Sequence, residues 1–380
     1  MPDAELRAGL GRLVERVAET LVECGDAYPY AADPGTGRWF TTADGNWCGG
    51  HWVSMLWMAY DLTGERRFRD AALARTEPLR PKLAADDMFR GFTFYYTGAR
   101  GWEIAGWDWQ RELALAGARA MAQMYEATIR QMPIGNEVSV LSAGQPLRGR
   151  AISAVDNIYA CLILPWWAWR QTAEPRFREI CVAHADRTME LFIRPDRSTD
   201  EFIEFDLSSG VPRRRFTRLG FADDSCWARG QAWCIAGLAL AYEYTRESRY
   251  LQMAAETTRY FMDRSPSDHV PYYDFADPHI PQVERDSSAA AIVGAALVRL
   301  LTLPAAEPAA RALADVGRRV ACSLVQGYLT SAGADQTRRP GMLLHGCFNR
   351  PGRVFADHEL IWGDHYLMEA LYVLHRAEEL

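Results

Sequence analysis

Apolar residues recur along this chain at the three-and-four spacing of amphipathic helices. Leu6, Leu10, Leu13, Val14, Val17 and Leu21 form one such stripe near the amino terminus, which predicts a helix with a single buried face. Strand signals are scarce, and only the interval from Phe202 to Phe221 has β character, predicting a small hairpin at the rim of a pocket. A weak repeat organises the remainder. Thr63-Gly-Glu65-Arg-Arg67-Phe68, Thr172-Ala-Glu174-Pro-Arg176-Phe177 and Thr245-Arg-Glu247-Ser-Arg249-Tyr250 share the pattern T-x-E-x-R-[FY]. Each copy follows one aromatic, Ala-rich helix and precedes another, so the repeating unit is a helical hairpin. Helices of ordinary length with short loops then number about ten to twelve in this chain.

Stacked hairpins make either an open solenoid or a closed ring with one mouth. A solenoid spreads its recognition residues along its length. In this chain the unusual loops (Asp44 to Gly50, Asp86 to Gly91, Phe221 to Trp233, Pro271 to Ser288, His345 to Asp364) recur between hairpins and bring Trp, Tyr, Asp, Arg and His together. The expectation is an all-α toroid of helical hairpins, one domain over residues 1–380 without a linker, with a pocket at one end.

Composition narrows the function. With 42 basic and 49 acidic residues the net charge is −7, and without a basic run neither nucleic acid nor an anionic membrane is the expected partner. The longest apolar run, Ala160 to Trp169, is about half of the roughly 20 residues that span a bilayer. The acid-containing amino-terminal stripe differs from a signal peptide, and eight cysteines without C-x-x-C or zinc spacing read as reduced, buried thiols. A cytoplasmic location is expected. Lys82 is the only lysine beside 41 arginines, which disfavours Schiff-base chemistry. No G-x-G-x-x-G or Walker loop is present. No cofactor is expected, and His358-Glu359 with Asp364-His365 is too loose a pattern for a metal site.

Thirteen tryptophans and sixteen tyrosines point to a carbohydrate ligand, because aromatic faces pack against the C–H faces of sugar rings. Most of these rings fill helix interfaces. Trp47, Trp227 and Trp233, set among polar loop residues, are the candidates for ligand contact. Asp156 opens an almost wholly apolar helix and reads either as an N-cap or as a carboxyl whose pKa is raised in a closed pocket, able to act as acid and then base. Asp86 and Asp87 supply a second carboxylate or a second cap. Arg229 and Trp233, at i and i+4, share one helix face; they suit a sugar carboxylate and its ring, unless Arg229 is instead paired with Asp223 or Asp224.

The segments DGNW (Asp44 to Trp47), DDSCWARGQAW (Asp223 to Trp233), VPYYDFADPHIPQVERDSSAAA (Val270 to Ala290), LLHG (Leu343 to Gly346) and LIWGDHYLMEAL (Leu360 to Leu371) resemble the unsaturated glucuronyl hydrolases, over nearly the whole chain. The resemblance implies an (α/α)6 barrel and hydration of the C4=C5 enol ether of a 4,5-unsaturated uronic acid, after which the hemiketal opens and sheds its partner. It places the acid/base at Asp156, substrate contacts at Arg229 and Trp233, and a pocket loop at Asn46 and Trp47.

Three departures cluster in the same region. The family's second aspartate stands in H-D-[LM]-G-F, whereas here two extra residues separate Asp87-Met88 from Gly91-Phe92, which puts either Asp87 or Phe89 at the carboxylate position. Glu201 stands where the family has a pocket histidine, and Arg218 and Leu219 replace a His-Gln pair. Besides hydrolysis of a small unsaturated uronoside, with Asp87 as helper and Glu201 and Arg218 at the substrate, two alternatives follow. One is a relative recruited to a different enol ether or glycoside, and the other is a carbohydrate-binding protein without catalysis.

Overall fold

The amino-terminal stripe forms the helix Asp3–Cys24, which buries Leu6, Leu10, Leu13 and Val17 and leaves Val14 and Leu21 half-buried. The computed structural model describes residues 3–138, 147–304, 307–331 and 339–378. The three T-x-E-x-R-[FY] segments make one and the same turn. In each, the threonine hydroxyl accepts from the glutamate N–H at 3.2 Å and donates to the carbonyl four residues earlier. The residue between, Gly64, Ala173 or Arg246, takes the left-handed conformation that stops a helix. The glutamate is extended and starts the next helix, and the closing aromatic, Phe68, Phe177 or Tyr250, is buried.

Two kinds of helix alternate along the chain. Gly49–Thr63, Ala228–Thr245 and Ser287–Val298 are buried on nearly every face, as a helix enclosed by others must be. Arg66–Thr76, Pro175–Leu191, Ser248–Arg264 and Pro308–Gly327 bury one stripe and expose the other. The buried helices touch in a closed cycle: Gly49–Thr63 meets Arg90–Phe94, then follow Ile163–Thr172, Ala228–Thr245, Ser287–Val298 and Ile361–Glu378, and the last returns to Gly49–Thr63. The result is a mostly helical α/α toroid around one apolar core that runs from Leu6 to Leu374.

Strands add to this all-α expectation. Tyr28–Ala32 lies between Trp39–Thr42 and Glu359–Leu360, and Phe202–Phe205 lies between Ile152–Ala154 and Pro212–Phe216, both sheets antiparallel. The expected hairpin is thus present, with a third strand that leads into Asp156. The first sheet joins the chain ends. Arg16 of the first helix donates to both carboxylate oxygens of Glu359 at 2.8 and 2.6 Å, and both side chains are buried. Among the described residues no helix is long and apolar enough to cross a membrane.

Close backbone contact sets the register of the ring beside the second sheet. A Cβ on Gly91 would stand 1.9 Å from the carbonyl oxygen of Ala160, on the helix that follows Asp156. Gly91→Ala is expected to lower stability by about 1–3 kcal/mol, the usual cost of overpacking, read as a fall in the urea midpoint at unchanged slope.

Candidate active site

The site is built on the second sheet. Ala154 pairs with Phe202, and the Val155 N–H donates to the Glu201 carbonyl at 2.9 Å. Asp156 follows at the step into the helix Asn157–Ala160. It has helical backbone angles and makes no side-chain capping bond, so the cap role that its position allows is not taken. Its Oδ1 is buried and has no hydrogen-bond partner among the described residues. An ionised oxygen in that state is costly, whereas a protonated carboxyl is tolerated. Burial, and then the charge of Glu201, push the Asp156 carboxyl up to about 8, while Arg229 pulls it down.

Glu201 is buried beneath the rim. Its Oε2 accepts from the N–H groups of Arg218 at 2.9 Å and Leu219 at 3.0 Å and from the Thr217 hydroxyl, while Oε1 has no partner among the described residues. Glu201 therefore holds the turn that carries Arg218 and Leu219. Burial raises its carboxyl against the pull of those hydrogen bonds.

A cavity of about 210 Å³ opens over Asp156. One wall comes from the start of Ala228–Thr245 and the loop after His345, with Trp227, Arg229, Trp233, Phe348 and Asn349. Trp233 stacks on Tyr159 with centroids 5.8 Å apart and planes 20° apart. Trp47 closes one side against Phe89 and Trp362, its indole N–H donating to the Tyr30 hydroxyl at 3.0 Å. All three tryptophans singled out from the sequence line the cavity. The rest of the lining is mostly apolar and includes Phe89, Phe202 and Leu219, with Arg218 next to Leu219.

Arg229 is paired neither with Asp223 nor with Asp224. Its Nη1 donates to Asp286 Oδ2 at 2.6 Å and to the Cys347 carbonyl at 2.5 Å, and its Nη2 donates to the Phe348 carbonyl at 2.7 Å. The guanidinium lies 4.6 Å from the Trp227 ring centroid. Asp286, which also caps Ser287–Val298 by accepting from the Ser288 N–H, was legible as a cap signature (Asp-Ser-Ser before an apolar run) but not as the partner of Arg229. Asn349 and Phe348 carried no motif that marked them.

Other expected residues take supporting places. Asn46 has a left-handed backbone (φ 45°), and its carbonyl accepts from Lys82 Nζ at 2.9 Å; the cavity is lined by Trp47 and not by Asn46. Asp87 is buried, its Oδ1 accepting from the Phe89 N–H at 2.9 Å, and Phe89 rather than Asp87 lines the cavity. Asp86 is drawn away to Arg150 and Asn136. Among the described residues no group of three or more His, Cys, Asp and Glu is placed to hold a metal ion. Glu359 is bound to Arg16, and His365 is packed against Tyr96.

An unsaturated glucuronyl hydrolase of Bacillus sp. (strain GL1) is 30% identical over 379 residues, covering 97% of this chain and 96% of the relative. The chain belongs to the unsaturated glucuronyl hydrolase family. An unsaturated chondroitin disaccharide hydrolase of Streptococcus pyogenes serotype M1 is 29% identical over 332 residues, 86% of this chain and 80% of that relative. The crystal structure of the Bacillus sp. GL1 unsaturated glucuronyl hydrolase superposes with a TM-score of 0.87 at 29% identity, over 98% of this chain and 97% of that one. A structure of an enzyme of this kind with dGlcA-Glc-Rha-Glc superposes with a TM-score of 0.86 at 29% identity, over 97% and 96%. No family model matches the chain. Membership makes this an unsaturated glucuronyl hydrolase scaffold with Phe89, Arg218 and Leu219 lining its cavity and Glu201 holding the turn that carries the last two.

The raised Asp156 carboxyl has a consequence for stability. The folded protein keeps a proton up to about pH 8 that the unfolded chain releases near pH 4, so this group makes stability fall as pH rises through that window. Asp156→Asn removes the dependence. Relative to the native protein its Tm is expected to be unchanged at pH 4 and higher at pH 8; an equal difference at both pH values would contradict the assignment.

Proposed function

We propose that this protein hydrates the C4=C5 bond of a 4,5-unsaturated uronic acid glycoside and so releases the group attached at C1. The observation that carries the reading is the Asp156 carboxyl, uncapped, with a buried unpaired oxygen, at the floor of an aromatic cavity. Held neutral, it delivers its proton to C4 of the enol ether, and positive charge develops at C5 and the ring oxygen. Its carboxylate then takes a proton from water as the water oxygen bonds to C5. The carboxyl is regenerated and C5 is a hemiketal. The hemiketal opens to a ketone, C1 becomes a hemiacetal of the departing group, and that hemiacetal breaks to an aldehyde and a free alcohol. One water is consumed and no redox change occurs.

The remaining residues have assigned parts. Trp233 and Trp47 pack against the ring. Arg229 has both Nη atoms engaged by Asp286 and carbonyls, so it contributes positive potential, and the substrate carboxylate is assigned to Arg218 at the cavity edge. Asp87 positions Phe89 through its main chain, and Asn46 shapes the loop of Trp47. The saccharides in the names of the relatives support a sugar substrate for this chain. The six buried helical segments and six amphipathic ones, Asp3–Cys24 and Asp108–Ala122 with the four given above, are proposed to close as an (α/α)6 barrel in one domain, residues 1–380. Eight free cysteines support a cytoplasmic setting.

The test follows the absorbance of the conjugated C4=C5 chromophore with unsaturated disaccharides and simple unsaturated uronosides. Consumption is expected, with kcat lowered about 10²–10⁴-fold in Asp156→Asn, the range of a lost acid/base. Equal ligand binding by both proteins without turnover in either would favour the non-catalytic reading.

The pH profile supplies a second check. Because Asp156 acts in its protonated form, kcat/KM is expected to fall above about pH 8. Glu201→Gln removes the neighbouring charge and is expected to move that alkaline limb to lower pH; a limb that stays in place would show that Glu201 acts only on the turn.

A further inference from the structure

Beside Arg218, the mechanism leaves much of the cavity lining unused: Met88, Phe89, Ile134, Ala154, Phe202 and Leu219 present apolar side chains. Its main-chain donors are committed as well. The Met88 N–H donates to the Ile134 carbonyl at 3.0 Å, the Ile134 N–H to the Ile152 carbonyl at 2.9 Å, the Phe89 N–H to Asp87 Oδ1 at 2.9 Å, and the Leu219 N–H to Glu201 Oε2 at 3.0 Å. These bonds also tie the wall to the sheet beneath it, so it is a preformed surface. Among the described residues, a hydroxyl or sulfate placed against it gives up water and finds these N–H donors already taken. An apolar group placed there gains by burial.

Polar side chains among the described lining residues, by contrast, suffice for the uronate alone: Asp156 for the reacting carbon, Arg218 for the carboxylate within the positive potential of Arg229, and Asn349 for a ring hydroxyl. The group leaving from C1 must occupy the rest of the cavity. We infer that this leaving group is apolar, an alkyl, alicyclic or aryl aglycone rather than a sulfated or polyhydroxylated sugar; the inference rests on the hydrolase reading of the same site. Leu219, set where a polar side chain would meet such a sugar, is the specificity-determining position.

The experiment measures kcat/KM for the cyclohexyl glycoside of a 4,5-unsaturated uronic acid and for unsaturated disaccharides ending in N-acetylgalactosamine or its 6-sulfate. The alcohol departs only after hydration at C4 and C5, so its basicity bears little on that step and the comparison reads mainly binding. The cyclohexyl glycoside is expected to be favoured by roughly 10- to 100-fold, the discrimination available to an apolar pocket, with the difference mainly in KM, and Leu219→Gln is expected to narrow it. Consumption of the disaccharides as well as or better than the cyclohexyl glycoside would overturn this inference and leave the hydrolase reading intact. No consumption of any glycoside would overturn both. If Leu219→Gln does not fold, the ratio measured with the native protein decides alone.

Discussion

The buried pair between Arg229 and Asp286 is the constraint on which the site depends. The two groups come from different helix starts and are 57 residues apart in sequence, and the carbonyls that complete the guanidinium shell lie 118 and 119 residues after Arg229. Taking both charges out of water is expensive unless every lone pair and proton is matched. Here Asp286 accepts from Arg229, from the Ser288 N–H and hydroxyl and from the Cys347 N–H. Matching of that completeness allows one arrangement of the two helix ends and the 345–349 segment. Trp227, Trp233, Phe348 and Asn349 are positioned by it.

Asp156 is the opposite case. It is a half-buried residue lining the cavity, and its buried Oδ1 has been left without a partner among the described residues. The fold thus satisfies one aspartate completely and starves another, and the difference separates a structural anion from a group that keeps its proton. Glu201 stands between these extremes. One of its oxygens is tied by two N–H groups and a hydroxyl and the other by nothing described, so it fixes a turn and acts on Asp156 through space.

Much of this was legible in the chain because it is local. The T-x-E-x-R-[FY] turns, the amino-terminal stripe, the hairpin after Phe202 and the tryptophans among polar loop residues depend on neighbours a few positions away. The partner of Arg229 was not legible, since several aspartates lie in the loops and only the closed ring selects Asp286 over the nearer Asp223 and Asp224. Nor was the choice between Asp87 and Phe89. Two extra residues before Gly91 can be absorbed on either side of it, and the structure absorbs them by turning Asp87 onto its own loop and Phe89 into the cavity. The choice for Asp156 between cap and acid rested on a side-chain hydrogen bond that is absent, which no sequence pattern records.

The clamp between Arg16 and Glu359 spans 343 residues, nearly the whole length of the chain. During synthesis at roughly 5–20 residues per second, the first helix leaves the ribosome on the order of 20–70 s before its carboxylate partner exists. Through that interval its Arg16 has only the exposed Glu19 of its own helix to meet, and its apolar stripe has no final helix to cover it. The last hairpin is therefore the step that commits the ring. A chain halted before Glu359 lacks both the anion that Arg16 binds and the helix Ile361–Glu378 that closes the cycle onto Gly49–Thr63.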